Sequence, residues 1–79
     1  MQRLNSSNKV AGIKQTKAAV NNNQALVVYT AKDAGPQLVE PIEALCREKG
    51  IELVSDCTRK ELAKACHVEV PCAAAAVLK

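Results

Sequence analysis

The middle of the chain alternates between two hydrophobic periodicities. Residues 24–31, QALVVYTA, form a continuous apolar run with β-branched members, which predicts a strand buried on both faces. The turn-like KDAGP separates this run from a stretch in which apolar residues recur at helical spacing until Gly50. These apolar positions are Leu38, Val39, Ile42, Leu45 and Cys46. A second strand at 51–55, IELVS, completes a unit that is typical of a right-handed parallel crossover.

A proline lies within the pattern of the predicted helix. Proline lacks the backbone N–H that a helix interior requires, but it is tolerated in the first turn. We therefore expect the helix to begin near Gln37 or Leu38, which places Pro41 in that first turn.

Two further helices and a last strand flank this unit. Upstream, Ile13, Thr16 and Val20 share one helical face after the glycine turn at Gly12, and asparagines end the helix. Downstream, TRKE at 58–61 is a capping box and predicts a short helix up to Cys66. The alanine-rich CAAAAVL is ambiguous, because alanine favours helices, but its place after VEVP at the chain end favours a buried strand.

Length and composition predict one small, soluble domain. The chain has 79 residues, of which 48% are apolar and only Tyr29 is aromatic, so the core must be aliphatic. No apolar stretch approaches the roughly 18 residues that cross a bilayer, and the N-terminus lacks the hydrophobic segment of a secretory signal. We expect residues 1–79 to form a single cytoplasmic domain and a monomer.

Charge is distributed unevenly along the chain. Five of the 11 lysine and arginine residues lie in residues 1–32, whereas all 8 acidic residues follow. Lys14 stands near the positive end of a predicted helix dipole, where an anion would offset its charge. A nucleic-acid contact surface is predicted by the combination of free backbone N–H groups, Lys14, Lys17 and the Gln15 amide. A plain solvated surface would have the same pattern, so this segment alone leaves both readings open.

Four linked motifs decide between these readings. They span about residues 9–78 and read VAGIKQTKAAV, LVVYTAKDAGP, VEPIEALCREKGI and KELAKACHVEVPCAAAA. In this order and spacing they resemble the L7Ae family of large-subunit ribosomal and ribonucleoprotein proteins, particularly its small bacterial members. The resemblance implies an α/β fold, a three-layer α-β-α sandwich with a mixed, mostly four-stranded sheet. It also implies a non-catalytic protein without cofactor or metal, whose partner is structured RNA containing a kink-turn, in the ribosome, a riboswitch or another ribonucleoprotein.

The resemblance also assigns roles to residues. The family's glycine-led helix start enters the widened major groove at the G·A pairs of the kink-turn, and here it corresponds to Gly12, Lys14 and Gln15. Lysine can donate to guanine O6 and N7, and glutamine can donate and accept at a base edge. The family's next lysine is Ala18 in this chain, but Lys17 stands one residue earlier and is expected to reach a phosphate.

A family loop before the last strand packs against an extruded nucleotide, and residues 68–70 correspond to it, with His67 where glycine is usual. The resemblance further implies a phosphate contact after the first long strand and a residue that lines the pocket of the flipped base. The full set assigned to RNA is Gly12, Lys14, Gln15, Lys17, Lys32, Val39, Val68, Glu69 and Val70.

Two other functions can be considered from the residues. A zinc or thiol-redox centre would use Cys66, His67 and Cys72, but zinc needs four ligands, and the adjacent Cys66 and His67 project about 100° apart on a helix. A flavodoxin-like nucleotide enzyme would need a glycine-rich phosphate loop, which the sequence lacks. We therefore expect the four cysteines to be small buried hydrophobic residues.

Overall fold

The computed structural model describes residues 8–67, 69 and 72–79, and within these ranges one four-stranded sheet carries three helices. The elements are β1 (Lys9–Ala11), α1 (Ile13–Asn21), β2 (Ala25–Ala31), α2 (Pro36–Lys49), β3 (Glu52–Cys57), α3 (Arg59–Ala65) and β4 (Ala74–Leu78). The strand order is β1-β4-β2-β3, with β2 and β3 parallel and β4 antiparallel to both neighbours. The mixed sheet and the parallel β2–α2–β3 unit are thus confirmed.

The two faces of the sheet bury separate cores, which gives the expected three layers. On one face, α1 and α2 pack through Val20, Ile42 and Cys46 against β2 and β4. On the other face, α3 packs through Leu62 against the same two strands. Within the described part of the chain, no helix is long and apolar enough to cross a membrane.

The alanine run forms a strand, as its position predicted. Ala74 and Ala76 belong to the core beneath α1 and α2, whereas Ala75 and Val77 belong to the core beneath α3. Because β4 lies between β1 and β2 and is covered on both faces, its side chains must be small enough for helices to approach from both sides. Tertiary position therefore overrides the helix preference of alanine.

The helix α2 begins earlier than predicted. Gly35 caps it and Pro36 is its first residue, a position where the missing proline N–H is not needed. Pro41 consequently lies inside the helix and not in the first turn, so the prediction for Pro41 was wrong. Without a Pro41 N–H, the carbonyl of Gln37 has no intrahelical donor; both residues are exposed, so solvent can take that role.

The sequence did not predict β1. Residues 9–11 are too few to show a periodicity, and only the register against β4 defines them as a strand, with Val10 opposite Ala76. At the other end, the capping box of α3 is confirmed, since the Thr58 side chain accepts from the Glu61 backbone and the Glu61 side chain accepts from the Thr58 backbone.

Two fully buried threonines differ in their hydrogen bonding. Thr30 in β2 is 0% exposed and donates its hydroxyl to Glu43 Oε2 of α2 at 3.0 Å, which ties the helix to the sheet. Thr16 in α1 is also 0% exposed, but none of the described residues provides a hydrogen-bond partner for its hydroxyl. An unpaired buried hydroxyl costs about 1 to 3 kcal/mol.

The substitution Thr16→Val should raise the free energy of unfolding by about 1 kcal/mol, because it removes an unpaired hydroxyl at nearly constant volume. Thr30→Val is the matched control. It should lower the free energy of unfolding by about 1 to 2 kcal/mol, since Glu43 then loses its hydrogen-bond donor. Urea unfolding of both variants and the parent measures the difference. A comparable loss in both variants would mean that the Thr16 hydroxyl is satisfied in solution.

Candidate nucleic-acid interface

Backbone hydrogen bonds bring two of the segments assigned to RNA, the start of α1 and the end of β2, to one end of the sheet. The Gly12 N–H donates to the Ala74 carbonyl at 2.8 Å, which places the start of α1 against the start of β4. The Ala31 N–H donates to the Ala73 carbonyl at 2.8 Å, so the end of β2 lies at the same place. We call the region around Gly12, Ala31 and Ala73 the site end.

Both long helices begin at the site end. The helix α2 follows the end of β2 through residues 32–35, and it packs beside α1 on the same face of the sheet. Their positive dipole ends therefore point in the same direction. The Lys32 N–H donates to the Cys57 carbonyl at 2.7 Å, so the start of α3 reaches the site end as well.

The start of α1 has a conformation that only glycine adopts readily. Gly12 has φ 108° and ψ 154°, and a Cβ at this position would lie 2.7 Å from Gln15 Oε1. The Gln15 side chain thus folds over Gly12 and is itself exposed. Neither a side-chain cap nor an acidic residue occupies the first turn within α1. The first turn of α1 therefore does not itself compensate the positive end of this helix.

The exposed lysines of α1 contrast with the mixed charges around Lys32. Lys14 and Lys17 are exposed, and α1 contains no acidic residue. Hydrogen bonds with Thr58, chiefly from its backbone N–H, lower the pKa of Glu61, and the nearby positive charge of Lys32 adds to this lowering. The side of the site end that α1 forms is therefore the more positive one.

Asp33 adds a further negative charge on the Lys32 side. Its Oδ1 accepts a hydrogen bond from the Arg59 backbone N–H at 2.8 Å, and its Oδ2 lies 3.6 Å from Arg59 Nε. The hydrogen bond from that backbone N–H lowers the pKa of Asp33. Asp33 and Arg59 compensate each other and join the turn after β2 to the start of α3.

Two neighbouring apolar residues in the first turn of α2 differ in exposure. Val39 is only 7% exposed, whereas its neighbour Leu38 is 47% exposed. The helical spacing grouped Leu38 with the other apolar residues of α2, but almost half of its surface lies in solvent. Val39 lies in the first turn of α2 at the site end and presents little surface there.

The loop before β4 is described in part. Val68 and Val70 lie outside the described residues, while Glu69 is exposed. His67 has φ 59°, a left-handed conformation that glycine adopts without strain. Glycine is usual at this position in the resembled family. His67 therefore adopts a backbone conformation that is typical of glycine.

The substitution His67→Gly should raise the free energy of unfolding by about 0.5 to 1 kcal/mol, because it relieves the left-handed strain at the end of α3. His67→Ala is the matched control and should leave stability near that of the parent, since alanine keeps the Cβ. Thermal or urea unfolding measures both. If both variants changed stability equally, side-chain contacts of His67 and not its backbone would be responsible.

The four cysteines are buried and free, as predicted. Burial raises the pKa of the Cys46, Cys57 and Cys66 thiols, and the Cys72 thiol donates to the Ala74 carbonyl at 2.8 Å. In the described ranges, no group of three or more His, Cys, Asp or Glu residues is arranged to hold a metal ion. The zinc or thiol-redox alternative is not supported.

Comparisons with known proteins show the family and the fold. The family model for the ribosomal protein L7Ae/L30e/S12e/Gadd45 family matches residues 1–79. An RNA-binding protein of Caldanaerobacter subterraneus is 46% identical over 68 residues, 86% of this chain and 83% of that protein. The large ribosomal subunit protein eL8 of Halobacterium salinarum is 40% identical over 68 residues, which cover 85% of this chain and 57% of that protein. The solved Giardia lamblia 15.5kD RNA binding protein has TM-score 0.87 at 28% identity, with 99% of this chain and 66% of that chain covered.

Proposed function

This chain belongs to the ribosomal protein L7Ae/L30e/S12e/Gadd45 family, and we propose that it binds structured RNA at the site end, where it recognises and stabilises a kink-turn. The observation that carries the proposal is the start of α1. This place combines Gly12 in a conformation that favours glycine, a first helical turn without a side-chain cap or acidic residue, and the exposed Lys14 and Gln15. Relatives named RNA-binding proteins support the same function.

The helix start α1 enters the RNA at the G·A pairs. Lys14 donates to guanine O6 and N7, and Gln15 donates and accepts at a neighbouring base edge. The major groove of regular A-form RNA is too narrow for these contacts, so only a kinked, widened groove admits them. Gly12 matters because a side chain there would displace Gln15 from its position. The protein thereby favours the bent form of the RNA.

Lys17 supplies a phosphate contact on the same side. It lies three residues after Lys14, and residues at that spacing are neighbours on the surface of a helix. Lys32 contacts a second phosphate, with a smaller net attraction because the negative charge of Glu61 lies close to it. The extruded nucleotide contacts the remaining residues of the proposed RNA surface, which are Val39, Val68, Glu69 and Val70.

The proposed role is binding and not catalysis. The eL8 relative is a large ribosomal subunit protein, so the ribosome or another ribonucleoprotein in the bacterial cytoplasm is the setting that we infer. Shape recognition of this kind requires neither a cofactor nor a metal bound by the protein.

Titration of a kink-turn RNA against a variant with disrupted G·A pairs tests the function. Binding should be tighter for the intact RNA, because only the bent form admits α1. If about three to five phosphates are neutralised, log K should fall with log salt at a slope of roughly −2 to −5. Fluorescence titrations at several salt concentrations give both quantities. Equal affinity for the two RNAs would contradict kink-turn recognition.

The substitution Lys14→Ala should weaken binding by about 1 to 3 kcal/mol, because it removes a base contact. Lys49→Ala is the matched control, since Lys49 is exposed at the opposite ends of α1 and α2, where its Nζ donates to Asn23 Oδ1 at 3.2 Å. Its removal should leave the affinity close to that of the parent. Equal effects of the two substitutions would mean that Lys14 contributes only general charge.

A further inference from the structure

The carbonyl of Ala74, at the start of β4, accepts two hydrogen bonds. The Gly12 N–H donates to it at 2.8 Å, and the Cys72 thiol also donates to it at 2.8 Å. A carbonyl oxygen has two lone pairs, so these two donors use its full capacity. Ala74 is 0% exposed and Cys72 is 4% exposed, so water does not compete for this carbonyl. Gly12 and Cys72 therefore set its orientation.

Gly12 connects this carbonyl to the start of α1. Its N–H is held by Ala74, and its own carbonyl accepts the first hydrogen bond of the helix, from the Thr16 N–H at 3.0 Å. Because the peptide groups on both sides of Gly12 are held, the direction in which α1 leaves β1 is fixed as well. Lys14 and Gln15, which we propose to contact base edges, are the second and third residues of α1 and follow this direction.

Cys72 also connects β4 to the start of α3. Its backbone N–H donates to the Arg59 carbonyl at 3.3 Å, while its side chain belongs to the core beneath α3. The thiol of Cys57, by comparison, donates to the exposed carboxylate of Asp56 at 3.4 Å, and Cys46 lies in the opposite core. Cys72 thus connects the starts of α1, α3 and β4 at the site end.

A buried cysteine usually serves as a small apolar residue that fills a core. The thiol of Cys72 differs because it is the polar partner of a carbonyl that holds Gly12. Removal of the thiol would leave one lone pair of this buried carbonyl unpaired and remove a restraint on its orientation. Hydrogen bonds weaken steeply when their distance and angle change, so a small displacement of the start of α1 would weaken its base contacts.

We propose that Cys72 is a positioning residue for RNA recognition: its thiol orients the Ala74 carbonyl, which holds the Gly12 N–H and thereby the start of α1. The inference rests on the proposed function and deepens it by adding a residue that the family resemblance did not assign. The thiol acts in this role as a hydrogen-bond donor, and not as a metal ligand or a redox group.

The test measures the affinity of three variants for a kink-turn RNA under reducing conditions, well below the unfolding midpoint of each. Cys72→Ala should bind about threefold to tenfold more weakly, because it removes the donor. Cys72→Ser keeps a donor and should bind within about twofold of the parent. Cys46→Ala is the matched control, since it removes a buried thiol from the opposite core. It should lower stability and leave the affinity unchanged.

Two further measurements separate positioning from a general loss of stability. The effect of Cys72→Ala on affinity should be smaller in a Lys14→Ala background, because one of the side chains that Cys72 positions is then absent. Hydrogen exchange of the Gly12 amide, followed by NMR without RNA, should be faster in Cys72→Ala than in the parent. Cys72→Ser should restore the exchange rate of the parent.

The outcomes distinguish the role of Cys72 from the binding function. The role would be overturned, while the function stands, by an undiminished affinity of Cys72→Ala or by a loss that Cys72→Ser does not restore. A loss of the same size in the Lys14→Ala background, or unchanged exchange of the Gly12 amide, would overturn it as well. If the parent bound the intact RNA and the RNA with disrupted G·A pairs equally, the proposed function would fall and the inference with it.

Discussion

The insertion of β4 between β1 and β2 is the interaction on which the rest of the structure depends. It joins the last described segment of the chain to the first through antiparallel pairing, and it places Val10 opposite Ala76 and Val28 opposite the same alanine from the other side. Backbone hydrogen bonds at its start hold Gly12 and Ala31 beside Ala73 and Ala74. Without this strand, the segments of the site end would have no common support.

The same strand explains why the site is made of backbone as much as of side chains. Buried alanines in β4 allow helices to lie close to both faces, so the starts of α1 and α2 are fixed by packing and not by side-chain caps. The start of α1 can then remain uncapped and without acidic residues, a state that an isolated helix would find unfavourable. An anion is the natural complement of such a helix start.

Several described residues depart from local structural rules. His67 takes a left-handed conformation, Leu38 exposes apolar surface and Thr16 buries an unpaired hydroxyl one turn into α1. Sequences usually satisfy such rules except where function or packing opposes them. The Asp33–Arg59 contact and the Thr30–Glu43 hydrogen bond, by comparison, hold the neighbouring elements in place.

The sequence by itself determined the elements whose patterns are local: the apolar run of β2, the helical spacing and glycine stop of α2, β3, and the capping box of α3. Through family resemblance, and not through geometry, it also indicated the residues of α1 that we propose to contact RNA. Only the tertiary structure decided that residues 9–11 form a strand, that Pro41 lies inside α2, and that Leu38 and not Val39 is exposed. The physical reason is that strand pairing and burial are set by partners distant in the chain, which a local pattern does not contain.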